Sequence, residues 1–224
     1  MCGRFSLDRS AEILEARFKA RLRISATVFP LYNIAPDMPT ACIPMDDADG
    51  ISLSSWGLSE QSRDGKSRQF INARTETFTS KWPFASLAKR NRCIIPASGY
   101  IEWKLIGNQK VPYLIQIKSA EIFAFAGLFE EAEGKRRFTI LTRPAGSVAA
   151  AIHDRMPVIL KPEMEKGWLN PNQNPEEMGR YFLQQDEPDL HFFPVSRKLN
   201  SSFENNPELL RHCPFSIPEQ LKLF

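Results

Sequence analysis

No apolar run in this chain approaches the roughly 20 residues that span a bilayer, so no transmembrane helix is expected. The start has no basic stretch followed by an apolar one, and a secretory leader is not expected. The four cysteines, at 2, 42, 93 and 213, make no CxxC and no short pairing. Reduced thiols in a cytoplasmic, nucleoid-associated setting are the natural reading. The three histidines are scattered, so there is no zinc spacing; neither metal nor organic cofactor is expected. GxGxxG, GxxxxGK[ST] and GxSxG are all missing, which removes the usual dinucleotide, phosphate-loop and serine-hydrolase signatures. Ser86-Leu-Ala-Lys89 fits SxxK, a pattern common by chance.

What is there is ordinary in bulk. The 224 residues are 42% hydrophobic and 25% charged, enough for a sizeable core, with no repeat or linker to divide residues 1–224. The net charge of +3 says less than its distribution. Between Gln61 and Arg92 eight basic residues (Arg63, Lys66, Arg68, Arg74, Lys81, Lys89, Arg90, Arg92) face only Asp64 and Glu76. That reads either as a local anion-binding face or as a solvated loop and helix surface.

Ala11, Ile13, Leu14 and Phe18 predict a helix capped near Asp8. Tyr32–Pro39, with two prolines, predicts an extended loop. Ile51–Trp56 alternates as a strand, and Gly57–Gln69 is polar and turn-like. Thr77–Lys89 predicts a helix with Pro83 near its start. A dense β region follows: Cys93–Pro96, Tyr100–Lys104, Tyr113–Lys118, Ile122–Phe129 and Phe138–Thr142. Glu163–Leu169 and Pro175–Gln184 are helix-compatible, and the tail is rich in Asn, Ser and Pro. The sum is one α+β domain around a curved antiparallel sheet.

The most informative segment is Met1-Cys2-Gly3-Arg4. Loss of Met1 would leave an N-terminal cysteine, with an α-amine of pKa about 7.7–8.0 beside a thiol of about 8.5. An aldehyde can form an imine with the amine. The thiol can then close on the imine carbon, giving a five-membered thiazolidine with the advantage of an intramolecular step. Three further segments are chemically dense. Asn72-Ala-Arg74 joins an amide to a guanidinium. Glu102 lies between Ile101 and Trp103, and in a strand would point to the opposite face from both. The bulk of Trp103 is expected to desolvate Glu102 and favour its neutral form. His153-Asp-Arg155 runs directly into apolar Val158-Ile-Leu160, which suits a site at a strand end. Taken singly, Asn72 reads equally as a turn residue, Glu102 as a surface strand residue and His153 as a partner of a backbone carbonyl.

Together with Met1-Cys-Gly-Arg-Phe5, Tyr32-Asn-Ile-Ala-Pro36, Trp56-Gly-Leu58, Glu76-Thr77, Arg92-Cys-Ile-Ile-Pro96 and Ala126-Gly-Leu128, these segments stand in the order seen in SRAP-domain proteins. The chain thus resembles the SOS-response-associated peptidase family, which processes abasic sites in DNA. The resemblance implies a single α+β domain with a barrel-like, mostly antiparallel sheet flanked by helices. It also implies a positive groove for single-stranded DNA and a covalent cross-link to abasic sites through the N-terminal cysteine. Carried over residue by residue, Cys2 is the nucleophile and Glu102 the proton donor and acceptor. His153 assists sugar ring opening, and Asn72 positions the sugar and the N-terminus. Arg74, Arg155 and Arg4 would hold phosphates, while Pro36 and Trp103 would pack against bases. The chain departs from the family pattern after Trp56-Gly-Leu58, where a second tryptophan is missing, and at Ser98, where an acidic residue is usual.

The expected activity is cross-linking of abasic single-stranded DNA by a monomer, with lyase or autopeptidase activity as further outcomes. A rival reading makes Cys2 the nucleophile of an N-terminal-nucleophile thiol peptidase or amidohydrolase, with Asn72 in an oxyanion hole. A third is a non-catalytic single-strand binder.

Overall fold

The computed structural model describes residues 2–61 and 67–214. The expectations for Met1, for residues 62–66 of the basic stretch and for residues 215–224 lie outside these.

Five strands close into a barrel. Lys135–Pro144, Phe123–Ala132, Arg92–Ala97, Pro39–Pro44 and Gly50–Trp56 pair in succession, each antiparallel to the next. Gly50–Trp56 then returns to Lys135–Pro144 by a short parallel pairing, Ser55 opposite Arg137 and Trp56 opposite Phe138. The apolar run in Phe123–Ala132 suits a strand buried on both sides. Gly127 in its middle has no room for a side chain: a Cβ would lie 2.2 Å from Ile95 Cδ1 and 2.8 Å from the Thr139 carbonyl oxygen. Arg155–Pro157 and Asn72–Arg74 both pair with Lys135–Pro144, the second of them in parallel.

A second, antiparallel sheet runs in the order Leu190–Pro194, Gln109–Ile117, Gly99–Ile106, Arg4–Leu7, Leu31–Ile34. The N-terminal strand is therefore an inner one. Phe5 fastens it to the barrel, meeting Trp56 edge-on at 5.1 Å and Phe125 at 5.7 Å. Such pairs add about 0.5–1.5 kcal/mol beyond the area they bury. Ser98 supports the same strand through its hydroxyl, which lies 3.1 Å from the Ser6 hydroxyl and accepts from the Asp8 N–H at 3.1 Å.

Four α-helices, Ala11–Phe18, Phe84–Arg90, Pro162–Leu169 and Pro175–Gln184, are found among the described residues. The last is capped by Asn174, whose side chain accepts from the Glu176 and Glu177 amides. Arg92 belongs to the interior rather than to a basic face. It is fully buried and donates to the carbonyls of Trp168, Ala88 and Asn170.

Several local expectations need correcting. The first helix starts after Ser10, because Ser6 and Leu7 are held in the sheet; Asp8 is not its cap. Tyr32–Pro39 is not a loop throughout, since Leu31–Ile34 pairs with the N-terminal strand and Pro39 opens a barrel strand. Gly57–Gln69 is not turn-like throughout: Leu58–Gln61 pairs antiparallel with Ser67–Phe70. The helix around Pro83 begins only at Phe84, the preceding residues forming turns. Leu190–Pro194 in the Pro-rich tail is a strand.

Candidate functional site

Cys2 stands at the mouth of the inner strand, where the five-stranded sheet meets the barrel, and is fully buried. Its thiol donates to the Arg4 carbonyl at 3.6 Å. Burial pushes the thiol pKa well up, and the nearby Glu102 charge adds to this. The sulfur is thus held protonated at neutral pH.

Glu102 lies on Gly99–Ile106 and is only 3% exposed. Burial raises its pKa to about 7, opposed by the positive amino terminus of the chain. The cause differs from the expectation about Trp103. The alternation of the strand sends Ile101 and Trp103 to the other face, where they pack with Leu114, Val195, Leu199 and Leu209. Glu102 is desolvated by the side facing the barrel.

The barrel supplies the opposing groups. Trp56 donates from its indole N–H to the Ile71 carbonyl at 2.9 Å and fixes the backbone one residue before Asn72. Asn72 donates through Nδ2 to the Cys2 carbonyl at 2.8 Å. Its Oδ1 is buried with no partner among the described residues, an acceptor available beside Cys2. His153 precedes Arg155–Pro157, and its ring is 31% exposed. The Arg155 amide donates to Nδ1 at 3.0 Å, which requires that nitrogen to be unprotonated. The Asp154 carboxylate, 2.7 Å from Nδ1, favours the opposite state. Burial and the positive amino terminus prevail and lower the His153 pKa, so near neutral pH the ring is neutral with its proton on Nε2.

Cys2, Asn72, Glu102 and His153 are thus brought to one junction by two separate sheets. The remaining candidates sit around it. Arg74 is exposed at the end of Asn72–Arg74 and has no ion-pair partner among the described residues. Arg4 is half-buried. One of its nitrogens donates to the adjacent Gly3 carbonyl at 3.1 Å, while its Nε is buried without a partner among the described residues. Arg155 differs from both. Its guanidinium grips Glu76 in a two-pronged ion pair and also donates to the Thr142 carbonyl at 2.7 Å. A phosphate reaching Arg155 would have to displace Glu76. Pro36 is half-buried in the loop between Leu31–Ile34 and Pro39–Pro44, and Trp103 donates to Asn200 Oδ1 at 2.9 Å.

Two groups were missed. Glu76 sits in the quoted motif, yet its partner is 79 positions away and nothing in the spacing points to it. Tyr100 is fully buried, its hydroxyl has no hydrogen-bond partner among the described residues, and it lies within electrostatic reach of Cys2 and Glu102. Its two-residue offset from Glu102 on a strand was the available signal. Among the described residues no three His, Cys, Asp or Glu side chains converge as a metal-ligand set.

Comparison with known proteins gives a consistent result. The family model described as "SOS response associated peptidase (SRAP)" matches residues 1–202. The abasic site processing protein YoqW of Bacillus subtilis is 37% identical over 221 residues, covering 94% of this chain and 99% of its own. The abasic site processing protein YedK of Escherichia coli is 27% identical over 94% of this chain and 99% of its own. A solved protein of Bacteroides thetaiotaomicron superposes with a TM-score of 0.82, covering 95% of this chain and 100% of its own. At 24% identity it speaks to the fold alone. A phage-related protein of Bordetella bronchiseptica gives a TM-score of 0.71 at 28% identity, covering 88% of this chain and 95% of its own.

Proposed function

The chain belongs to the SOS response associated peptidase family, and from that premise we propose that it processes abasic sites by forming a thiazolidine between Cys2 and the lesion in single-stranded DNA. The observation that carries the reading is the meeting of Cys2 with a carboxyl whose pKa is about 7, beside Asn72 bonded to the Cys2 carbonyl.

An abasic deoxyribose equilibrates with a ring-opened aldehyde. With Met1 removed, the Cys2 amine adds to the aldehyde carbon and water leaves, giving an imine. The thiol then adds to the same carbon, a C–S bond forms, and the thiol proton ends on nitrogen. The net change is aldehyde plus aminothiol to thiazolidine plus water. Glu102, near half-ionised at neutral pH, can give a proton to the departing water and take one from the thiol. The buried, protonated thiol is a weak nucleophile, so it must give up its proton as it adds to the imine carbon. Asn72 Oδ1 suits an N–H of the amine, and neutral His153 suits proton transfer at the sugar hydroxyl during ring opening. Arg74 and Arg4 are the phosphate-binding candidates. The imine also opens a competing β-elimination that would cut the strand, so strand integrity is read in the same assay. The amidohydrolase alternative asks Asn72 to donate into an oxyanion hole, but Nδ2 is already engaged by the Cys2 carbonyl. The protein is taken to act as a monomer on cellular DNA, with no cofactor in the chemistry.

The test uses the chain with a mature Cys2 N-terminus and an oligonucleotide carrying one abasic site. The parent is expected to give a heat-stable adduct. Cys2→Ala should bind without one, and Cys2→Ser should give only an imine trapped by borohydride. A stable adduct from Cys2→Ala would overturn the mechanism.

A further inference from the structure

Trp82 is an anomaly on this surface. It is 65% exposed, whereas Trp56 and Trp168 are fully buried. It is not loosely attached. Its ring stands edge-on to Phe70 at 6.4 Å and 84°, and Phe70 in turn meets buried Phe84 edge-on at 5.6 Å. The residue before it is held at both its amide and its carbonyl, the Lys81 amide by the Thr77 carbonyl at 2.9 Å and the Lys81 carbonyl by the Ala85 amide at 2.9 Å. The indole is therefore offered to solvent on a rigid support, which keeps the entropic cost of stacking a planar ligand on it low.

Its surroundings identify the ligand class. Phe70 precedes Asn72 by two residues, so at most about 7 Å of chain separates the support from the site. Exposed Lys81 is adjacent in sequence, and exposed Arg74 closes the strand that carries Asn72. Neither cation has an ion-pair partner among the described residues. Glu76, the acidic residue next along, is engaged by Arg155. An exposed aromatic with Lys81 next to it in sequence and Arg74 on the adjoining Asn72–Arg74 strand fits an unpaired nucleobase and its phosphates, since any base has a π-face and stacking on it is sequence-tolerant. A protein partner would not need the cations, and a duplex has its base faces already covered.

We propose that Trp82 is a base-stacking platform for a nucleotide flanking the lesion, supported by Phe70, and that it selects single strands over duplex. The proposal rests on the reading of the site as one that engages single-stranded DNA.

The test is binding of the full chain to an undamaged single-stranded oligonucleotide and to its duplex, measured by fluorescence anisotropy across salt concentrations. Trp82→Ala should weaken single-strand binding roughly five- to one-hundred-fold, with duplex binding unchanged. Trp82→Phe should recover part of the loss. The log–log salt slope should stay constant in both, because no phosphate contact is lost. Arg74→Ala should instead flatten it by about 0.7. Affinity of Trp82→Ala within two-fold of the parent overturns the proposal, and so does a loss accompanied by a flatter slope. A change in the parent's oligomeric state on Trp82→Ala would make the patch a self-interface and also overturns it. The oligonucleotide lacks an abasic site, so the two readings can fail separately. A parent that binds it but never cross-links damaged DNA overturns the thiazolidine alone. A parent that cross-links but is indifferent to Trp82 overturns the platform alone. A parent that binds no single strand overturns both.

Discussion

Glu102 holds a proton that the unfolded chain would release. Its folded pKa of about 7 lies above the ordinary value of 4.5. Below about pH 4.5 both states are protonated and the group costs nothing. Between there and about 7 the folded state binds more protons, so its stability falls as pH rises. Above 7 the full penalty, about 3 kcal/mol, is present. Glu102→Gln should remove it. The expected result is a parent whose Tm declines from pH 5 to 8 and a variant whose Tm is flatter and higher at pH 8. Parallel profiles would show that the carboxyl is not held neutral. The residue itself was legible from the sequence as a polar position between two apolar ones on a strand. The source of its desolvation was not, because neighbours in sequence on a strand face opposite ways and the groups around Glu102 come from distant segments. Tyr100 escaped for a related reason: a tyrosine in a β-rich stretch reads as core, and only three-dimensional packing reveals that its hydroxyl is unpartnered among the described residues.

At the scale of elements, the short Arg155–Pro157 and Asn72–Arg74 strands both lean on Lys135–Pro144, and the Arg155–Glu76 pair ties their two segments together. The pair holds Arg155 away from any phosphate in the free protein. Glu76→Gln removes the charge that competes for the guanidinium, so single-strand binding should tighten and the log–log salt slope should steepen by about 0.7, one added phosphate contact. An unchanged slope would assign Arg155 to holding the two strands rather than the DNA. The five runs of β-branched and aromatic residues between Cys93 and Thr142, and both acidic helices, could be read directly because their apolar patterns are strong. Leu31–Ile34 and the pairing of Leu58–Gln61 with Ser67–Phe70 could not. The prolines flanking the first and the polar residues of the second mimic loops, and only strand pairing makes them extended.

At the scale of the whole molecule, closure of the barrel is the least legible feature. It depends on two parallel residue pairs, Ser55 with Arg137 and Trp56 with Phe138, formed across some 80 positions. The ordered family segments implied such a sheet, whereas hydrophobic pattern alone implied only curvature. The placement of the N-terminal strand also bears on mechanics. If DNA is joined at Cys2 as proposed, tension along the nucleic acid would enter the protein at its second residue and run down the Arg4–Leu7 strand. That strand is zipped to Gly99–Ile106 on one side and Leu31–Ile34 on the other, and Phe5 is wedged against Trp56 and Phe125. Hydrogen bonds pulled along the strand axis are loaded together, in shear, instead of opening one after another. A DNA handle attached at Cys2 should therefore need a markedly higher rupture force in an optical trap than one attached at exposed Leu105, at a hairpin end where pairs peel singly. Equal forces would mean that the strand frays under load. A translocating motor meeting the adduct would confront a mechanical anchor as well as a covalent one.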